Sequence, residues 1–363
     1  MDYPIIQYAD DTILAMPACP QQAAAIKEIL VDYASSIGLR INFHKSTLIP
    51  INLSDETALA FANFFGCSVG LMPFTYLGHP LGTTKPTILD LMPLVCSAER
   101  HLTSMIATMS YGGKLSWLNA TVTSLLIYAM CTLKFSPKLI EMLDKIRKRC
   151  LWTKRTEQGD KCNSLAAWDM VCKPKKHGGL GVINIKLQND ALLMKFLHKF
   201  YNKLDVPWVH LIWDTYYADK VPHATNPVGS FWWHDILKLT PVFRGITQVR
   251  VVSGTTALVW KDLWAGDVLE SSHPHALSFA MHEDGSVKDF LQSTTLSEAF
   301  HLPLSPQALN EVRDIQRLSS HMHPSTSDSD VWYYTWGKTV YQPADYYRFY
   351  FRDVNAHPAF SLL

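Results

Sequence analysis

The sequence predicts an α+β chain: a small strand-and-helix unit first, then longer helices, then a mostly helical C-terminal region. Three observations predict it. Short apolar runs broken by turn residues fill roughly residues 1–85. From Thr87 to Trp152 apolar residues recur at helical spacing. The 11 Trp, 15 Tyr and 16 Phe in 363 residues supply enough large apolar groups for real cores, which also argues against a disordered chain.

Taken in order, Pro4–Tyr8 and Thr12–Met16 are two short strands meeting at an Asp-rich turn, Ala9-Asp10-Asp11. Gln21–Ile37 carries Ile26, Ile29, Leu30, Tyr33, Ala34 and Ile37 on one helical face, and Gly38 ends it. Leu39–Phe43 reads as a strand, with Ser46–Ile51 its continuation or partner. Ser54 caps a helix running to about Phe65, with Gly66 after it. Phe74–Leu81 is an aromatic, glycine-punctuated strand segment. Ile88–Met109, Lys114–Leu133 and Lys138–Trp152 are helices parted by Gly112-Gly113 and Pro137. The loop Lys173–Gly181 precedes another helical stretch, Lys186–Leu204. After about Pro222 the elements shorten, with Trp232, Trp233, Trp260 and Trp264 as expected anchors, and Ser319–Asp330 reads as a flexible polar loop.

Formal net charge is only +1, but its distribution is uneven. Lys134–Lys176 holds 12 Lys/Arg against 5 Asp/Glu, whereas residues from Asp262 onward hold 6 against 13. A basic middle beside an acidic tail is an asymmetry that can hide a nucleic-acid surface. The seven cysteines include no CxxC pair, so neither a zinc finger nor a redox pair is written here, and reduced, mostly buried thiols are expected. The start of the chain is cut by Gln7, Asp10 and Asp11, unlike a signal peptide, and Thr121–Leu133 is too short to span a bilayer. A nuclear or cytoplasmic protein with no membrane partner is expected.

Tyr8-Ala9-Asp10-Asp11 is the element with a direct chemical reading. Adjacent carboxylates at a tight turn can offer hard oxygen ligands to divalent cations, as nucleotidyl transfer requires. Alone the tetrapeptide is weak, because Asp-Asp at a solvated turn is common, and a metal-dependent hydrolase using the same pair is conceivable. Context sharpens it. Gln7-Tyr8-Ala9-Asp10-Asp11-Thr12 resembles motif C of reverse transcriptases. Gly38-Leu39-Arg40-Ile41-Asn42-Phe43-His44-Lys45-Ser46 and Tyr76-Leu77-Gly78-His79-Pro80-Leu81-Gly82 are similar to later palm segments of the LINE-type (non-LTR) enzymes. Cys150-Leu151-Trp152, Trp168 and Val171-Cys172-Lys173-Pro174-Lys175-Lys176-His177-Gly178-Gly179-Leu180-Gly181 resemble the segments that follow the thumb in plant retroelements. Gly229-Ser230-Phe231-Trp232-Trp233, Ser253-Gly254 and Trp260-Lys261-Asp262-Leu263-Trp264 continue the match, which covers roughly residues 1–265.

The resemblance implies a palm remnant over 1–85, a helical thumb over 86–155, a helical connection region over 156–265 and, over 266–363, a C-terminal region with the start of a further domain. It implies Asp10 and Asp11 as metal ligands for Mg²⁺ or Mn²⁺ and catalytic groups. Lys45 is either a general acid for the leaving pyrophosphate or a solvated surface lysine. It places Tyr8 near the primer end, where packing in the palm is the alternative. Lys145, Arg147, Lys148, Arg149, Lys154 and Arg155 would track an RNA template and DNA primer through phosphate contacts, against a solvated helix face. No small-molecule cofactor is implied. The family's third palm carboxylate and its fingers have no counterpart before residue 7, so a truncated fragment of an RNA-directed DNA polymerase, inactive alone, is expected. The alternative is a non-catalytic nucleic-acid-binding protein.

Overall fold

The computed structural model describes residues 5–39, 41–103, 109–156, 159–217, 221, 228–293, 295–322, 325 and 329–354. The chain is α+β and divides into two compact units, Met1–Pro86 and Thr87–Leu363.

In the first unit, β1 (Ile5–Tyr8) and β2 (Asp11–Leu14) form an antiparallel hairpin, with Tyr8 opposite Asp11. A two-residue loop, Ala9-Asp10, joins them, and Ala9 takes a positive φ of 52°. Positive φ at the first central residue alone is a hairpin-turn pattern that usually selects glycine, so pairing of the strands holds Ala9 there against its own preference. α1 (Pro20–Ile37) starts on a proline suited to a first helical turn and ends at Gly38 in the left-handed region. The segment after it departs from expectation. Asn42 accepts a hydrogen bond from the Lys45 amide and folds Phe43–Lys45 into a 3₁₀ turn rather than a strand. Strand pairing is confined to Thr47–Leu48 (β3), which runs parallel to Ser68–Val69 (β4) across α2 (Asp55–Phe65). Ser54 caps α2 through the Thr57 amide, and Asp55 and Glu56 occupy its first turn. The strand expected over Phe74–Leu81 is a hairpin of β5 (Phe74–Tyr76) and β6 (His79–Leu81). Leu77 and Gly78 both have positive φ, which turns the chain in two residues. The expected small antiparallel sheet is therefore a set of separate two-stranded pairs among the described residues, one of them parallel.

The second unit opens with three mutually packed helices, α3 (Met92–Thr103), α4 (Tyr111–Thr132) and α5 (Pro137–Trp152). α3 begins later than Ile88 because Asp90 accepts from the Thr87 amide and hydroxyl and holds a turn there. The end expected for this helix, residues 104–108, lies outside the described residues. Gly112 and Gly113 do not break the chain; Ser110 caps α4 through the Gly113 amide and takes both glycines into the first turn. α4 is long and apolar enough to cross a membrane by length and composition, yet Leu118, Leu126, Ala129 and Met130 are buried and it packs on three other helices.

A hairpin, β7 (Thr153–Thr156) with β8 (Gly159–Cys162), and the short α6 (Trp168–Val171) lead to α7 (Ile185–Tyr201). α7 joins two cores. Ile185 and Leu192 belong to the core of the helical bundle, whereas Leu187, Leu193, Leu197, Phe200 and Tyr201 belong to a second one. That second core gathers α8 (Pro207–Tyr216), α9 (Phe231–Leu237), α10 (Thr240–Gly245) and β9 (Thr247–Arg250), then continues past residue 265 without a break. Short helices α11 (Leu269–Ser272), α12 (Pro274–Leu277), α13 (Val287–Gln292) and α14 (Leu296–Ala299) precede α15 (Pro306–Ser319). β10 (Val331–Tyr334) pairs antiparallel with β9, and α16 (Pro343–Tyr350) packs on α7. Of the expected anchors Trp233, Trp260 and Trp264 are buried and Trp232 is partly buried against the same core, and Trp332 joins them.

Candidate functional site

Asp10 lies in the loop of the first hairpin and Asp11 opens β2, so the local fold presents adjacent carboxylates from a two-strand support. Both are exposed, as is Tyr8. Lys45 is exposed at the end of the 3₁₀ turn. Among the described residues no three His, Cys, Asp or Glu side chains gather so as to hold a metal ion. Magnesium keeps near-octahedral oxygen coordination, and a two-cation centre needs bridging and flanking carboxylates. Two exposed neighbours on one turn do not fit such a centre by themselves.

The basic residues of α5 separate into two kinds. Lys145, Lys148 and Arg149 are exposed. Arg149 approaches Glu99 at 3.9 Å, and the Lys148 ammonium lies 5.6 Å from the centre of the Trp168 ring. Arg147, expected among the nucleic-acid contacts, is not one of them. It is 2% exposed, donates to Asp144 at 2.6 Å and to the Ile183 carbonyl, and lies over Trp168 at 5.3 Å. The apolar face of α5 turns it inward, where its fork of donors ties helix to loop. Lys154 and Arg155 sit on β7, but their side chains lie outside the described ones.

The glycine-rich run after Trp168 is a structural hub. Asn119 of α4 donates to the Gly181 carbonyl and faces the Ile183 amide. The Asn184 amide donates to the Tyr347 hydroxyl. His177 contacts the Val354 carbonyl through Nδ1 at 2.6 Å and stacks on Phe351, which makes it a turn residue and an anchor for the C-terminal segment. Cys172 is buried beneath, and burial pushes its thiol up to about 12, an unreactive state.

Two buried constellations carry no mark in the local sequence. Asp330, placed in a flexible loop by its Ser-rich surroundings, is 2% exposed. Its carboxylate accepts from the amides of Val252, Ser253, Gly254 and Thr256 and from the Thr256 hydroxyl. Ser253-Gly254 is thus the cradle of a carboxylate more than seventy residues away, a pairing for which local sequence offers no signal. Asp262, inside the Trp260–Trp264 motif, accepts from the Leu258 amide and pairs with Arg244 at 2.6 Å. The Asp262 carboxylate is fully buried and the guanidinium nearly so, and burial raises the Asp262 carboxyl against the pull of that guanidinium.

No protein-family model matches the chain. A protein of Arabidopsis thaliana named as a ribonuclease H protein is 29% identical over 162 residues, which are 43% of this chain and 26% of that protein. The match therefore spans about a quarter of the relative's length.

Proposed function

We propose that the chain is a nucleic-acid-binding part of a non-LTR retroelement reverse transcriptase of the plant type. The observation that carries the reading is the Tyr8-Ala9-Asp10-Asp11 hairpin, with the acidic pair at its turn and a helix directly after it. The packed helices α3–α5, with exposed Lys145, Lys148 and Arg149, support it, as does similarity to a relative whose name denotes an enzyme of nucleic acids. In this reading Asp10 and Asp11 are two of the oxygen ligands to Mg²⁺ or Mn²⁺. Tyr8 lies near a primer end, Lys45 near the leaving group, and an RNA template with a DNA primer is the partner. The two carboxylates do not complete the centre alone, so this chain's own residues support binding rather than a catalytic step.

The chain by itself is expected to bind nucleic acid without extending a primer. Positioning of primer hydroxyl, nucleotide and cations supplies most of the catalysis in phosphoryl transfer, and two exposed carboxylates supply little of it. The test is primer extension on a primed RNA template with Mg²⁺ or Mn²⁺, against Asp10→Ala/Asp11→Ala, alongside binding by fluorescence anisotropy over a salt series. Extension above the double variant would overturn the inactive-alone reading. Affinity that ignores salt, or survives Lys145→Gln/Lys148→Gln/Arg149→Gln, would overturn the binding reading, since each phosphate contact contributes a slope of about −0.7 to −0.9.

A further inference from the structure

A few residues after Trp168 in the chain comes a second group of cations that the reading above leaves without a role. Lys173, Lys175 and Lys176 lie on the turn between α6 and the glycine-rich run, and Lys175 and Lys176 are exposed.

The backbone carrying them is fixed from within. Pro174 restricts its own φ, and the amides of His177 and Gly179 donate to the Pro174 carbonyl. Gly178 donates to Lys175 and Gly181 to Lys173, so the turn has little freedom of its own. Gly179 sits where a Cβ would stand 2.0 Å from the Lys173 carbonyl oxygen, which no side-chain adjustment can relieve. The methylenes of Lys175 run along Gly181, with Cγ 3.4 Å from the place of a Cβ there. Two residues on, the Ile183 carbonyl receives Arg147 of α5. Turn and helix are therefore joined through one short stretch of main chain. The Cys172 amide, immediately before the turn, donates to the Trp168 carbonyl, and the Arg147 and Lys148 cations of α5 lie over the ring of that same tryptophan.

Cations outnumber acids along this stretch, where Asp169 of α6 is an exposed carboxylate. Among the described residues Lys145, Lys173, Lys175 and Lys176 have no ion-pair partner, and Lys148 rests on an aromatic ring instead. Asp144 is committed to Arg147. Unpaired ammonium groups on a rigid support repel one another, a cost that a polyanion removes. Ammonium groups on flexible stems also suit phosphates, whose spacing along a strand varies, and read no bases.

We propose that the Lys173–Lys176 turn is a second phosphate-contact surface, which with the exposed edge of α5 grips the sugar–phosphate backbone of nucleic acid. The proposal rests on the nucleic-acid reading above and extends it to residues outside α5. The experiment measures anisotropy of a labelled RNA–DNA hybrid over a salt series, using the full chain and Lys173→Gln/Lys175→Gln/Lys176→Gln. The log–log salt slope is expected to flatten by about 2–3, from three contacts of about 0.7–0.9 each, with more than a tenfold loss of affinity at low salt. The matching Lys→Arg triple should keep wild-type slope and affinity. Circular dichroism and the thermal midpoint establish that each variant folds, and the single exposed change Lys176→Glu serves if the triple does not. An unchanged slope in the turn variant, while Lys145→Gln/Lys148→Gln/Arg149→Gln weakens binding, overturns this inference and leaves the parent reading standing. Unchanged binding in both sets overturns both. Equal competition by polyglutamate at matched charge would also overturn it, by making the surface one for acidic protein.

Discussion

Arg147 and Lys148 are neighbours in sequence with opposite fates. On α5 a step of one residue turns a side chain by about 100°, so one guanidinium faces Ile183 and the core while the next ammonium faces outward. Arg147→Met should cost about 2 kcal/mol, since it strands the Ile183 carbonyl and the partly buried Asp144 carboxylate. Lys148→Ala should cost no more than about 0.5 kcal/mol. Denaturant midpoints measure both, and equal costs would mean Arg147 is not the tie described. His198 on α7 gives a second residue-scale expectation. Its Nδ1 accepts from the Asn202 side-chain amide and lies 2.9 Å from the Tyr334 hydroxyl, and burial, aided by Lys199, lowers it to about 4. A histidine whose folded value lies below its unfolded 6.5 stabilises fully above about 6.5 and loses that contribution as pH falls towards 4. The loss should approach about 3 kcal/mol, at about 1.4 kcal/mol per pH unit. His198→Gln should flatten that part of the stability–pH curve, and an unchanged curve would sink the assignment.

At the scale of elements, the end of α4 shows how one helix is finished by another. Its final carbonyls need partners that local sequence does not provide. Asn189 of α7, buried, donates to the carbonyls of Met130 and Leu133 at 2.8 Å and accepts from the Phe135 amide. Trp232 donates to the Thr132 carbonyl, and Lys134 pairs with Asp190. Asn189→Leu keeps the volume but leaves two buried backbone groups and a part-buried one without this partner, so about 3 kcal/mol should be lost. Urea unfolding reads this directly, and a loss below about 1 kcal/mol would show that the cap is dispensable. The same dependence explains where helix ends were legible. Ser54 and Ser110 cap from three residues away and carry a local signature, whereas Asn189 caps from more than fifty residues away and carries none.

At the scale of the whole molecule the two units differ in how much apolar surface they hide. In Met1–Pro86 the buried apolar residues among those described are Ala23, Ala58 and Ala62, while Ile5, Ile29, Tyr33 and Leu59 are more than half exposed. In Thr87–Leu363 two cores rich in Leu, Trp, Tyr and Phe share α7. Local opening free energy follows buried contacts, so amides in Pro20–Ile37 and Asp55–Phe65 should exchange at least about tenfold faster than those in Ile185–Tyr201. Hydrogen exchange resolved by peptide tests this, and equal protection would contradict the division.

Local sequence was enough for the α+β class, the hairpin that puts Asp10 and Asp11 at or next to a turn, the helices Met92–Thr103, Tyr111–Thr132 and Pro137–Trp152 in outline, and the aromatic anchors. Each depends on periodicity, turn chemistry or a cap only a few residues away. Packing between distant segments settled that Arg147 serves the core, that Asp330 is clamped rather than loose, and that α7 belongs to both cores. It also settled that Ile41–Phe43, the described end of the strand expected from Leu39, forgoes pairing, since a ladder needs a neighbour and Asn42 offers the backbone a closer partner. A charge or a hydrogen-bonding group has no fixed role until the fold supplies its partner, because desolvation makes an unpartnered group costly and a partnered one permanent.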